Sequence, residues 1–193
     1  LTMKLWQSDE GEDHERPCCS VSMSRDAAKV CAELDVPHYT LNLTKEFKRS
    51  VIDEFQSEYL AGRTPNPCVS CNTVLKWGEL WTKVKSLSLD YLATGHYAQI
   101  VADDSGEFHL LRGLDSNKDQ SYFLWGIKRE LMSKTMFPLG SLSKTEVRKI
   151  ASLYGLGVAE KPESQDICLI PDNNYQKWLS GRTPELPGYS FTG

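Results

Sequence analysis

A chain of 193 residues, 40% hydrophobic and 25% charged, can bury one core and has the composition of an ordinary soluble globular domain; it has no apolar run near the roughly 18 residues that span a bilayer. Its net charge of −4 excludes a nucleic-acid binder that works through its whole surface, while leaving room for a local basic patch. Six cysteines, at 18, 19, 31, 68, 71 and 168, are too few for a disulfide-stapled secreted module and read as reduced, intracellular thiols. No signal peptide opens the chain, although it begins directly on a strand pattern and so leaves an upstream leader open.

Leu1, Met3 and Leu5 alternate with Thr2 and Lys4, the period of a half-buried strand that Trp6 ends. Residues 7–17 form an acidic polar loop. From Ser20, an N-cap, a helix carries Ala27, Cys31 and Leu34 on one face until Pro37 stops it. Tyr39, Leu41 and Leu43 give a second alternating strand. Thr44 caps a helix in which Phe47, Val51, Phe55 and Tyr59 recur every four residues, with Gly62 as its stop.

Residues 61–72 are Ala-Gly-Arg-Thr-Pro-Asn-Pro-Cys-Val-Ser-Cys-Asn. Pro65 and Pro67 fix two alternate φ angles and push Thr64 and Asn66 toward extended backbone, so the stretch reads as a stiff loop. Asn72 is the expected N-cap of a helix over about 73–86, with Trp77, Trp81 and Val84 inward. Cys71 then stands directly before a helix N-terminus, where the dipole and unpaired N–H groups favour thiolate, making it a candidate nucleophile.

Further on, 89–94 reads as a third strand, followed at once by Gly95-His96-Tyr97. Residues 103–107 form a hairpin turn between strands over 98–101 and 108–112. Ser143 and Glu146 form a capping box for a helix carrying Val147, Ile150, Ala151 and Tyr154, with Gly155 as its stop. A strand over 167–170, a short helical pattern near 175–179 and a Pro/Gly-rich tail complete the chain. This alternation predicts an α/β fold with a parallel sheet, and ligands in such sheets gather at the carboxyl ends of the strands. Met3, at the end of the first strand, and Gly95 are in that position.

Five motifs in order resemble one family: Gly62-Arg63-Thr64-Pro65-Asn66-Pro67 with Cys71-Asn72; Ala93-Thr94-Gly95-His96-Tyr97; Asn117-Lys118-Asp119-Gln120-Ser121-Tyr122-Phe123-Leu124; Phe137-Pro138-Leu139-Gly140; and Ser164-Gln165-Asp166-Ile167-Cys168. Together they look like the tRNA-specific 2-thiouridylases. The resemblance implies the α/β fold of the PP-loop ATP pyrophosphatases, whose nucleotide-binding domain would cover 1–165, with the start of a second, central domain over 166–193. It implies replacement of the C2 oxygen of the wobble uridine by sulfur in tRNAs for Lys, Glu and Gln, using ATP with Mg2+. Sulfur would come from a cysteine desulfurase or a sulfur relay protein. The expected location is the cytoplasm, with an organelle as the alternative.

The C2 oxygen of uracil is a poor leaving group, so the implied reaction adenylates it first and lets AMP depart. Sulfur would arrive as a persulfide on Cys168. Cys71 would deprotonate or cleave that persulfide, and the cycle would end in a Cys71–Cys168 disulfide that must be reduced. By the same resemblance Met3 and Gly95 line the adenosine site. His96, Lys118, Asp119 and Gln120 touch tRNA, and Asn66, Pro67 and Cys68 meet the target base. A wobble base lies in a single-stranded loop, so its extrusion is comparatively cheap.

Two departures bear on this. The Ser-Gly-Gly-x-Asp-Ser phosphate loop of the family and its C-terminal β-barrel do not occur here, so the resemblance implies a fragment that is incomplete at its N-terminus and inactive alone. Cys68 stands where many members have Asp, and a thiol there does not replace a carboxylate in general acid/base work. Two other classes compete with the enzyme reading. One is a non-catalytic tRNA- or nucleotide-binding fragment. The other is a structural zinc protein built on Cys68-x-x-Cys71, against which stands the lack of a second such pair. Cys18, Cys19 and Cys31 read as small buried hydrophobes, and Trp77 and Trp81 as packing residues.

Overall fold

The computed structural model describes residues 1–5 and 21–157 together with Ile170 and Trp178. Trp6, the acidic loop, Ser20, Cys18, Cys19, the Cys168 motif and the boundary expected at 165 lie outside the described residues. The chain divides into two compact units, Leu1–Pro65 with Pro162–Gly193, and Asn66–Lys161.

In the first unit, strand β1 (Thr2–Lys4) pairs in parallel with β2 (Thr40–Asn42), with Met3 opposite Leu41. Met3 is therefore the middle residue of β1, not its end. A parallel pair needs a crossover, and the helix Val21–Glu33 supplies it. That helix stops before Pro37 comes into play. Asp35 takes φ 52°, and the Val36 N–H returns to the Cys31 carbonyl at 2.8 Å, which closes the last turn. Leu34, expected on the inner face, follows the helix and is 49% exposed.

A second helix runs over 44–60, α-helical at Thr44–Phe47 and Asp53–Leu60 and wound as a π-helix at Lys48–Ile52. Thr44 is its first residue and not its cap: Asn42 Oδ1 accepts from the Thr44 N–H at 3.2 Å and from its hydroxyl at 2.9 Å. Residues four apart drift by roughly 40° per step on an ordinary α-helix. The wider π winding offsets that drift, and Phe47, Val51 and Phe55 are all buried. Each such burial contributes about 1.5–3 kcal/mol. Phe55 meets Tyr59 and Trp178 edge to face, at 4.8 and 5.5 Å between ring centres. Gly62 ends the helix at φ 75°, where its N–H reaches the Tyr59 carbonyl.

In the second unit, a helix runs over 67–86 through Pro67–Ser70, a π-helical Cys71–Leu80 and Trp81–Ser86. Leu75, Trp77, Leu80 and Val84 are buried, and Trp81 is half-buried. The third strand is shorter than expected: β3 is Leu92–Ala93, because Ser88 takes φ 56° and Leu89 is exposed. It pairs in parallel with β6 (Thr135–Met136). Between them β4 (Ala98–Ala102) and β5 (Phe108–Arg112) form the expected antiparallel hairpin. Asp103 Oδ1 organises its turn by accepting from the N–H groups of Ser105 and Glu107 and from the Ser105 hydroxyl. The helix Lys144–Leu153 starts on the predicted capping box and stops at Gly155, φ 68°. The fold is thus α/β with parallel pieces. The described strands form three two-stranded sheets where one continuous sheet was expected.

Candidate functional site

The thiol segment starts a helix six residues earlier than its sequence suggests. Asn66 is the N-cap, with extended backbone and a side-chain oxygen that accepts from the Cys68 N–H at 3.1 Å; Pro67 is the first helical residue. Proline costs nothing there because its missing N–H would have had no helical partner. Cys68 therefore occupies the first turn, where unpaired N–H groups and the dipole act. Cys71 lies within the helix, its own N–H bonded back to the Pro67 and Cys68 carbonyls. The helix dipole thus acts on Cys68 more than on Cys71. Both thiols are half-buried. Asn72 caps nothing: it is buried, its Nδ2 donates to the Phe123 carbonyl at 3.4 Å, and its Oδ1 has no partner among the described residues.

His96 follows β3 and is buried against Trp77 and Phe137, each 5.8 Å away between ring centres. Lys76 Nζ lies 3.2 Å from its Nε2 and Thr94 Oγ1 lies 2.7 Å from its Nδ1. Burial, then the adjacent Lys76 charge, hold the imidazole pKa down to about 3, so the ring is neutral at physiological pH. Trp77 is fixed in turn by donating to Thr135 Oγ1 at 2.8 Å. Gly95 is exposed, and a methyl group there would meet only Leu139, at ordinary contact distance.

The 117–124 motif folds onto the same loop. Gln120 Oε1 accepts from the Tyr97 N–H at 3.1 Å, and the Gln120 N–H donates to the Tyr97 carbonyl at 2.9 Å. Asp119 accepts from the N–H groups of Gly113 and Ser121 and from the Ser121 hydroxyl. Burial raises its pKa, but those bonds and the Arg112 charge outweigh it and hold the carboxyl below its usual range. The Lys118 N–H bonds to the Asp115 carbonyl. Tyr122 meets Phe123 at 3.8 Å between ring centres, and burial, then the Cys68 and Asp119 charges, raise its phenol pKa.

Cys68, Cys71, His96 and Lys118 to Gln120 therefore belong to one unit, tied by Asn72 to Phe123, Lys76 to His96 and Gln120 to Tyr97. Met3 lies in the other unit, and Cys168 lies outside the described residues. Two residues that join these segments, Asn72 and Lys76, escape sequence reasoning as site residues. Nothing in helical spacing marks Lys76, whereas Asn72 lies inside a quoted motif. Among the described residues the only grouping of donors suited to a metal is Asp103, Glu107 and His109 in the β4–β5 turn, and it includes neither cysteine.

Comparison with known proteins adds the lineage. A tRNA-specific 2-thiouridylase MnmA of Heliobacterium modesticaldum is 48% identical over 186 residues, which is 96% of this chain and 48% of that protein. Proteins of the same name from Clostridium perfringens and Salinibacter ruber are 46% identical over 185 residues and 48% identical over 191. They are covered over 51% and 50% of their lengths, and 95% and 96% of this chain takes part. The chain thus spans about half the length of the curated relatives it matches. The family model described as "tRNA methyl transferase HUP domain" matches residues 1–172, and the chain belongs to that family.

Proposed function

We propose that this chain supplies the nucleotide- and tRNA-handling half of a tRNA-uridine 2-sulfurtransferase. The observation that carries the reading is the joining of three separate motifs, around Cys71, His96 and Gln120, into one hydrogen-bonded cluster. The names of the relatives agree with it. The substrate is the wobble uridine of tRNAs for Lys, Glu and Gln, in the cytoplasm, and sulfur is delivered by a cysteine desulfurase or a relay protein.

ATP would supply the adenylate for the C2 oxygen, with release of pyrophosphate, so that the oxygen can depart as AMP. Cys168 carries the incoming sulfur as a persulfide. Cys71 deprotonates that persulfide or attacks it; in the attack its thiolate bonds to the Cys168 sulfur as the outer sulfur leaves with the electron pair and bonds to C2, from which AMP departs. The resulting disulfide is then reduced by external thiol. Cys68, in the first helical turn, meets the base together with Asn66 and Pro67. Asp119 and Gln120 shape the tRNA-facing loop, since their polar atoms hold backbone, and Lys118 reaches the RNA from it. Gly95 leaves room for adenosine, which Met3 helps to line. Among the described residues no group of three metal donors includes either thiol, and no step is assigned to Mg2+.

The test is a chimera in which this chain replaces the matching half of the Clostridium perfringens relative, assayed for ATP-dependent incorporation of labelled sulfur into unmodified tRNA. Activity that disappears in Cys71→Ser and Cys168→Ser is expected. An inactive chimera beside an active parent overturns the reading. Undiminished thiolation by Cys168→Ser removes the persulfide assignment alone.

A further inference from the structure

Lys76 is a cation with an unusual setting. It is half-buried, and its ammonium sits against the Nε2 of a buried histidine. An ammonium offers three N–H donors and no lone pair, so His96 Nε2 must accept, and the ring proton lies on Nδ1, donated to Thr94 Oγ1. One Lys76 donor is thus used on a neutral acceptor. Lys29, Lys48, Arg63 and Arg129 each face a carboxylate, whereas no carboxylate pairs with Lys76 among the described residues.

The position matters as much as the charge. The i→i+5 winding of Cys71–Leu80 places residues five apart about one turn above one another, so Lys76 stands one turn from Cys71. On its other side are His96 and exposed Gly95, at the carboxyl end of β3, where ligands of α/β sheets gather. A half-buried ammonium, fixed by a rigid neutral ring and with two donors left, suits a tetrahedral oxyanion with several acceptor oxygens.

We propose that Lys76, oriented by His96 and Thr94, binds a phosphate group of the ligand brought to the Cys71 helix. His96 is then a positioning residue, because both its nitrogens are committed inside the fold. The phosphate comes either from the nucleotide or from the RNA backbone. The inference rests on the proposed function for those two sources and on Lys76 itself for the charge.

The test is equilibrium binding of AMP, adenosine and unmodified tRNA to the 193-residue chain and to Lys76→Gln. A lost charge-assisted bond weakens the phosphate-bearing ligand by about tenfold or more. If the nucleotide is the source, AMP weakens while adenosine and tRNA do not. If RNA is the source, tRNA weakens, its salt slope falls by about one, and AMP is unchanged. A second readout uses the unsubstituted chain and so does not depend on the variant folding: acetylation of Lys76, followed by peptide mass spectrometry, is slowed by AMP or tRNA and not by adenosine. Equal binding by Lys76→Gln, or no protection by either ligand, overturns the inference alone. A native chain that binds neither AMP nor tRNA removes the proposed function with it.

Discussion

Gln120 and Tyr97 hold each other twice: the Tyr97 N–H donates to the Gln120 side chain at 3.1 Å, and the Gln120 N–H donates to the Tyr97 carbonyl at 2.9 Å. The 117–124 motif is thereby sewn to the loop after β3. Gln120→Ala keeps the backbone bond and loses the side-chain one, at a cost of about 1 kcal/mol. Amide exchange at Tyr97 should accelerate about fivefold for that loss, and Gln120→Glu should restore most of the protection.

Acid sensitivity should trace to His96. Its folded pKa is depressed to about 3 from 6.5. The unfolded chain therefore takes up a proton first as pH falls, and stability is lost between those two values. At pH 5 the loss is about 2 kcal/mol. Denaturant midpoints measured from pH 7 to pH 5 should fall in the native chain. In His96→Gln the slope should be shallower, although the overall stability at pH 7 is lower.

The helix start can be tested by comparing two asparagines. Asn66→Ala removes the cap over Cys68 and should cost about 1 kcal/mol. Asn72→Ala removes only a long bond to Phe123 and an oxygen with no partner among the described residues, so it should cost less. Urea melts of the two variants decide between a start at 67 and one at 73.

Glycines separate strain from collision. Gly62→Ala meets nothing within 4 Å but must hold φ 75°, at a cost of about 1–2 kcal/mol. A methyl group at Gly140 would overlap the Ala98 carbonyl, which is backbone and cannot turn aside, so Gly140→Ala should cost more than Gly62→Ala. Thermal midpoints of the two variants should rank in that order.

Much of the local structure is legible because its causes are local. The Ser143–Glu146 capping box, the hairpin turn at 103–107 and the stops at Gly62 and Gly155 each need a few neighbouring residues of the right kind. The start of the 67–86 helix is misread for a local reason as well. Pro67 reads as a helix breaker, whereas in the position after an Asn N-cap it is a helix starter. Strand lengths are overestimated at 39–43 and 89–94, because alternation reports polarity and not which backbone groups find a partner strand.

By itself the sequence determined the α/β alternation, the motifs and the thiols, since these depend on residue types and short spacings. Tertiary structure decided that His96 is a neutral buried ring. It also decided that Lys76 and Gln120 tie distant motifs together. Those outcomes depend on burial and on hydrogen bonds between segments 20 to 51 positions apart, which no local pattern encodes.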